Sequence, residues 1–216
     1  MRSPGLSLSL ALLLAGALPA TELSLDKIFA RTARPDASQT AWRPDGGQLT
    51  HVVKEEAGSE LRGIDPATGK VIWKLAYADL KTAPENPAIT PATYRWSPRS
   101  DALLFAADGD LYLYRLGDRS LARLTETAAK EEGAAFSPDG SRLAYVRDGN
   151  LFVRDLAADH ERQLTTDGKD NEILNGQNDW VYWEEIWNRQ ATGFWWSPDS
   201  QRIAYYRFED RAVATY

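Results

Sequence analysis

Four short turn motifs recur along the chain, and their recurrence limits the folds that it can adopt. Each consists of an aromatic residue, a polar or basic residue, a proline and a turn-forming pair; they occupy 42–46, 96–100, 136–140 and 196–200. Proline presets the φ angle of a turn, and Asp, Gly or Ser completes it. The alternating residues that follow each motif predict strands at 48–53, 102–106, 142–147 and 202–208.

A second turn follows the motif at a fixed distance in two of the repeats. Gly109 and Gly149 each lie eleven residues after the motif proline, in short Asp-Gly turns that are typical of β-hairpins. Partner strands are predicted at 111–116 and 151–156, with a third short strand after a further turn. Three to four antiparallel strands per repeat predict an all-β chain that forms three to four blades of a β-propeller. The alternative is a β-sandwich whose turns are similar by coincidence.

The first twenty residues have the pattern of an export signal. Arg2 supplies a positive charge, and the run 6–18 is apolar and followed by small residues. The alternative is a membrane anchor, for which the run is short. We therefore predict a signal peptide at 1–20, a lead-in segment at 21–35 and the propeller part at 36–216.

The cysteine count and the end of the sequence add two expectations. The sequence has no cysteine, which excludes a disulfide framework and lipoprotein attachment. Together with the export signal, this predicts a protein of the bacterial periplasm or a secreted protein, with no membrane attachment after signal cleavage. The sequence ends at Tyr216, directly after a predicted strand, so we expect the front portion of a longer protein.

Composition argues against several classes of function. The formal net charge is −6, which argues against nucleic-acid binding. Without cysteines or paired histidines no metal site is predicted, and without a glycine-rich phosphate loop no cofactor is predicted. The two histidines, His51 and His160, are predicted to be structural or solvated.

One segment interrupts the repeats and concentrates both charge and aromatic rings. Five of the eight tryptophans lie between Trp180 and Trp196, and Glu184 and Glu185 lie among them. Such a segment within a repeat protein is predicted to be a surface insertion. Carboxylates among large rings are expected to be partly desolvated, which strengthens the binding of a cation such as a peptide ammonium group.

The insertion also has a helical pattern. Asp179 is a predicted N-cap, and Trp180, Trp183 and Trp187 have the spacing of one helix face. The alternative to a binding site is an ordinary amphipathic helix, whose tryptophans pack on the propeller while its glutamates remain exposed. The acidic pair at 131–132 lacks such a setting and is predicted to be a solvated loop pair.

The region 178–210 resembles the dipeptidyl peptidase IV family of the prolyl oligopeptidase superfamily. That family carries D-W-x-Y-x-E-E, followed by an aromatic pair and S-P. The matching residues are Asp179, Trp180, Tyr182, Glu184, Glu185, Trp195, Trp196, Ser197 and Pro198.

The resemblance implies both a fold and a function. It implies an eight-bladed propeller stacked on a C-terminal α/β-hydrolase domain, and a serine peptidase that releases Xaa-Pro or Xaa-Ala dipeptides. It implies that Glu184 and Glu185 bind the free amino terminus of a peptide substrate, within a frame formed by Asp179, Trp180 and Tyr182. Members of the family are often dimers, so a homodimer is expected.

Two departures keep alternatives open. The family supplies an arginine from an earlier blade to hold the substrate carbonyl, and only Arg115 lies near the corresponding strand. No G-x-S-x-G elbow occurs, so these residues alone are expected to be inactive. The alternatives are a non-enzymatic periplasmic scaffold and a relative with tripeptidyl or acylaminoacyl peptidase activity.

Overall fold

The computed structural model describes residues 40–55, 58–76, 79–80, 89 and 94–213. The predicted signal peptide at 1–20 and the lead-in segment at 21–35 lie outside the described residues.

Three antiparallel sheets of four strands follow one another, and in each the strands pair in chain order. Blade 1 contains β1 (Thr40–Trp42), β2 (Leu49–Glu55), β3 (Gly58–Ile64) and β4 (Val71–Ala76). Blade 2 contains β5 (Arg95–Trp96), β6 (Ala102–Ala107), β7 (Asp110–Arg115) and β8 (Leu121–Arg123). Blade 3 contains β9 (Glu132–Phe136), β10 (Arg142–Arg147), β11 (Asn150–Asp155) and β12 (His160–Gln163). His160 is thus the first residue of β12.

The fourth blade is divided between two pairs of strands. These are β13 (Ile173–Asn175) with β16 (Arg207–Glu209), and β14 (Phe194–Trp196) with β15 (Ile203–Tyr205). A short helical turn, Tyr182–Ile186, lies between β13 and β14. The described residues thus form a partial β-propeller of three blades and part of a fourth, which confirms the predicted fold class and the helical insertion.

The prediction of one continuous strand at 202–208 was wrong, because the strand breaks at Tyr206. The Tyr206 N–H donates to the Gly193 carbonyl at 2.8 Å, and the Tyr206 carbonyl accepts from the Gly176 N–H at 2.9 Å. Before Tyr206 the chain pairs with β14, and after it the chain pairs with β13.

The four motif turns lie in a row, each beside the turn of the next blade. The Asp45 N–H donates to Ser100 Oγ at 3.0 Å, Arg99 Nε to the Asp139 carbonyl at 2.6 Å, and the Asp139 N–H to Ser200 Oγ at 3.0 Å. Ser100 and Ser200 both have a φ of 61°, in the left-handed region that favours glycine. Their hydroxyl groups make bonds between blades that glycine cannot make, which offsets the backbone cost.

At the opposite edge of the blades, a threonine occupies the same position in blades 2 and 3 and makes the same hydrogen bond. Thr125 Oγ1 accepts from the Leu111 N–H at 2.9 Å in blade 2, and Thr165 Oγ1 accepts from the Leu151 N–H at 2.9 Å in blade 3. The chain passes from one blade to the next at this edge. The insertion between β13 and β14 therefore projects from the edge opposite the motif turns.

Apolar side chains fill the spaces between consecutive blades. Leu104, Leu113, Leu143 and Tyr145 pack between blades 2 and 3, and Phe194 of β14 packs against blade 3. Leu143 is fully buried, and a leucine-to-alanine change at such a position costs about 2–5 kcal/mol. Packing between blades thus fixes the position of β14, from which the insertion projects.

The prediction that 131–132 is a solvated pair was wrong for Glu131. Its side chain is fully buried, and it accepts hydrogen bonds from Thr125 at 2.6 Å, Thr127 at 3.0 Å and Arg147 at 3.3 Å. Arg147 also donates to Glu161 at 2.5 Å. A buried charge needs a charged or hydrogen-bonded partner, and here the cation comes from β10, the strand that pairs with β9 in blade 3.

Candidate functional site

Asn178 closes the base of the insertion, residues 178–192. Its backbone N–H donates to the Ala191 carbonyl at 2.9 Å, and its Nδ2 donates to the carbonyls of Gln190 at 2.8 Å and Thr192 at 3.2 Å. Gln177 and Thr192 form a β-bridge beside these bonds. One buried side chain therefore holds both ends of the insertion together.

Asp179 caps the helical turn, as the sequence predicted. Its Oδ1 accepts from the Tyr182 N–H at 2.7 Å, and its carbonyl accepts from the Trp183 N–H at 2.8 Å. Further along, the Trp187 N–H donates to the Tyr182 carbonyl at 2.8 Å, which is the wide spacing of a π-helical turn. Such short π-helical turns occur frequently at functional sites.

The predicted tryptophan face is not formed. The helical turn ends at Ile186, so Trp187 lies beyond it and cannot continue a face that begins at Trp180. Trp180 is 70% exposed, while the Trp187 ring packs against the Trp195 ring with their centroids 6.1 Å apart. The predicted spacing requires α-helical periodicity throughout, and from Tyr182 the helix widens to π-helical spacing.

The two glutamates have different surroundings. The Glu184 side chain is 29% exposed and is held by Arg189, with Nε 3.1 Å from Oε2 and Nη2 2.8 Å from Oε1. Glu185 is exposed, so the expectation of a desolvated pair was wrong for this residue. Adjacent helical residues point in different directions, and only one of the two faces the loop that follows.

Aromatic rings support one side of the helical turn. The Tyr182 ring contacts the rings of Phe208, at 4.9 Å, and Tyr206, at 6.1 Å; Tyr206 in turn contacts Trp195 at 5.0 Å. Tyr182 thus packs against neighbouring rings, and its role in a frame around a bound amino terminus stays a prediction. Trp180, which was assigned to the same frame, takes no part in the ring contacts found among the described residues.

Cavities lie on both sides of the insertion. A cavity of about 400 Å³ is lined by Arg95, Trp187, Arg189 and Trp195, among others. Another, of about 590 Å³, is lined mainly by acidic and apolar residues, including Glu132, Asp179, Trp180, Trp183 and Asp210. The insertion therefore separates a cavity with arginines from a cavity with carboxylates.

Arg115, the only candidate for the arginine of an earlier blade, is not near the glutamates. It ends β7 at the motif-turn edge, where it lines a different cavity together with Ser97 and Arg99. β7 has six residues, so its two ends are about 16 Å apart at 3.3 Å per residue. The arginine that contacts Glu184 is Arg189, which sequence analysis missed; the signal was a cation five residues after the glutamate.

Two features are absent from the described part of the chain. In that part, no three His, Cys, Asp or Glu side chains group together as metal ligands. Nor does it contain a helix that is long and apolar enough to cross a bilayer.

Comparisons with known proteins agree with the fold and the motif. The sequence model of the dipeptidyl peptidase IV (DPP IV) N-terminal region matches residues 108–216, half of the chain. The chain is 36% identical over 104 residues to human (Homo sapiens) prolyl endopeptidase FAP, a match that covers 47% of the chain and 13% of that protein. It is 25% identical over 221 residues to a probable dipeptidyl-aminopeptidase B of Paracoccidioides brasiliensis, covering 90% of the chain and 24% of that protein.

A solved structure shows the same arrangement of strands. The crystal structure of Porphyromonas gingivalis dipeptidyl peptidase 4 matches with a TM-score of 0.73 and 28% identity, over 90% of this chain and 29% of that one. The chain thus spans less than a third of each of these relatives. The matched family region contains the helical turn, the two glutamates and blade 3, and the chain belongs to the dipeptidyl peptidase IV family.

Proposed function

We propose that this chain is the N-terminal propeller portion of an exported, periplasmic or secreted dipeptidyl peptidase. The complete protein is a serine exopeptidase that releases Xaa-Pro or Xaa-Ala dipeptides from peptides with a free amino terminus. The propeller limits which substrates reach the active site of the complete protein. Glu184 and Glu185 bind the ammonium group of the substrate. The nucleophile comes from a C-terminal α/β-hydrolase domain, and the protein forms a homodimer.

The observation that carries the proposal is the placement of two adjacent carboxylates on a raised helical turn. Asp179 caps this turn, and the Tyr182 ring packs against Phe208 of β16 and against Tyr206, where the strand breaks. Within the described residues, Glu185 has no hydrogen-bond or ion-pair partner. A firmly held turn with one free carboxylate beside an oriented one suits a small cationic ligand.

The chemistry of a peptide amino terminus fits this arrangement. An α-amino group titrates at about 7.7–8.0, so most of it is charged at neutral pH. Its three N–H groups can donate charge-assisted hydrogen bonds to carboxylate oxygens on both glutamates. A peptide whose amino group is acylated has no charge and fewer donors. The pair therefore favours free amino termini over internal peptide segments.

Binding the amino terminus also accounts for the release of short fragments. When the ammonium group is fixed at a constant distance from a nucleophile, the bond that is cut lies a fixed number of residues along the peptide. The helical turn, which contains Trp183, and the preceding Trp180 form a barrier beyond which a longer chain does not extend. Positioning of this kind is a large contribution to catalysis.

The test uses the complete protein that carries this chain. Glu184→Gln and Glu185→Gln are each expected to lower kcat/KM for dipeptide release about tenfold to a hundredfold, the size of a lost hydrogen bond to a charged group. Glu126→Gln, at a highly exposed glutamate in blade 2, is the matched control. If both variants kept full activity on substrates with a free amino terminus, the proposed binding role of the two glutamates would be wrong.

A second measurement addresses the class of peptidase. The coding sequence beyond Tyr216 is expected to contain a G-x-S-x-G elbow followed by Asp and then His. A stop codon directly after Tyr216 would contradict the serine peptidase. It would favour the non-enzymatic scaffold instead.

A further inference from the structure

We propose that Arg189 is a positioning residue for the glutamate pair, an inference that rests on the proposed binding of an ammonium group. Arg189 holds the Glu184 carboxylate in one orientation and cancels one of the two negative charges. The pair then presents one net negative charge to a ligand that carries one positive charge. Arg189 acts through Glu184 and does not itself contact the ligand.

The geometry of the contact supports an orienting role. Two nitrogens of the guanidinium group face the two oxygens of one carboxylate, at 3.1 Å for Nε to Oε2 and 2.8 Å for Nη2 to Oε1. Two parallel bonds fix the plane of the carboxylate, whereas a single bond leaves it free to rotate. Each carboxylate oxygen keeps a second lone pair that can accept from another donor. Glu184 can therefore be held by Arg189 and still accept from an ammonium group.

The backbone bends sharply to bring Arg189 back to Glu184. Asn188 has a φ of 47° and Arg189 a φ of 63°, both in the left-handed region that non-glycine residues rarely adopt. The Arg189 N–H donates to the Trp183 carbonyl at 2.7 Å, and the guanidinium lies 5.7 Å from the Trp183 ring centroid. Backbone strain of this kind persists where the surrounding structure requires it and is concentrated at functional sites.

The charges of the site lead to the same conclusion. Glu184 and Glu185 are adjacent in the chain, and two carboxylates that share a site repel each other. A cation beside one of them offsets part of this repulsion. Because the Arg189 side chain is 68% exposed, water screens the contact, and its contribution to overall stability is small. Loss of the Arg189–Glu184 contact is therefore expected to weaken ligand binding.

The test is a double-mutant cycle in the complete protein that carries this chain. Arg189→Gln, Glu184→Gln and the double variant are compared by KM and kcat on a substrate with a free amino terminus. Arg189→Gln is expected to raise KM about three- to fivefold with kcat unchanged, the scale of an exposed ion pair. The double variant is expected to have the same KM as Glu184→Gln alone, because Arg189 affects the ligand only through Glu184.

Two control variants separate positioning from general damage. Arg202→Gln removes an arginine that is also exposed and lies 3.7 Å from Asp199 at a motif turn, and it is expected to leave KM unchanged. Arg189→Lys keeps the charge but not the paired bonds, so it is expected to restore part of the lost affinity.

The possible outcomes distinguish this inference from the proposed function. If Glu184→Gln raises KM but Arg189→Gln leaves it unchanged or lowers it, the positioning role is wrong and the binding role of the glutamates stands. If the two effects simply add, Arg189 acts independently of Glu184 and the inference also fails. If neither glutamate variant changes KM, the proposed function itself fails.

Discussion

Two glutamate–arginine contacts in this chain have the same chemistry and opposite surroundings. Glu131 ends the linker that leads from blade 2 into β9, and it meets Arg147 at the end of β10; its side chain is fully buried and that of Arg147 is 13% exposed. Glu184 and Arg189 meet on the insertion, where the arginine is largely exposed. The first contact holds the linker from blade 2 against blade 3, and the second orients a group within one loop.

The difference arises from the partners that surround each pair. Glu131 also accepts bonds from Thr125 and Thr127, and Arg147 also donates to Glu161 and lies 4.1 Å from the Phe152 ring centroid. No water is needed to satisfy these charges. On the insertion, by contrast, water can replace either partner at little cost. Burial therefore decides whether the same kind of ion pair acts as a structural link or as an adjustable contact.

The largest expected effect is that of Arg147→Met. This change keeps most of the side-chain volume over Phe152 but leaves the buried Glu131 carboxylate without a cation. Removing one partner of a buried pair costs about 3–5 kcal/mol of the free energy of unfolding. Urea titration followed by tryptophan fluorescence measures the loss. Adding Glu131→Gln to the variant is expected to recover part of it, because no charge is then left unpaired. If Arg147→Met lowered the free energy of unfolding no more than a change at the exposed Arg189, the two ion pairs would not differ as described.

A smaller effect is expected from pH, through Glu161. Burial raises the pKa of this carboxyl, but hydrogen bonds from Arg147 and Tyr145 outweigh burial and hold the pKa below its usual range. A carboxyl whose folded pKa is depressed contributes stability above its unfolded pKa, near 4.5, and this stability is lost as pH falls through the folded pKa.

The pH effect can be measured with one matched variant. Unfolding midpoints of the wild type are expected to fall between about pH 5 and pH 3, over and above the general acid effect. In Glu161→Gln this part of the pH dependence should disappear. Identical acid profiles for the two proteins would show that the charge of Glu161 does not stabilise the fold.

The strands were predictable from the sequence because their signals are local. A proline turn and a glycine hairpin at fixed offsets determine where β6, β7, β10 and β11 begin, within one residue of the prediction. The break at Tyr206 was not predictable, because it depends on pairing with residues far along the chain. The burial of Glu131 was missed for the same reason, since its cation, Arg147, lies 16 residues further along the chain, at the end of β10.

The candidate site was predictable in composition but not in geometry. The residue types around Glu184 and Glu185 drew attention to the segment, and the cap at Asp179 follows from a local rule. Helical periodicity failed for the tryptophans, because it applies only where a helix completes two or more turns. Arg189 was missed because two left-handed residues bring it back to Glu184, and no periodic pattern encodes such a bend.

The smallest expected effect is that of Arg189→Met on stability. The exposed pair with Glu184 contributes about 0.2–1 kcal/mol, so the free energy of unfolding should fall by no more than that. The same urea titration that measures Arg147→Met measures this variant, and the difference between the two tests the comparison directly. A loss above about 2 kcal/mol for Arg189→Met would show that the insertion depends on the pair for its fold. A rise in KM for Arg189→Gln would then reflect a disordered loop. A loss below about 1 kcal/mol with a raised KM leaves orientation of Glu184 as the physical cause.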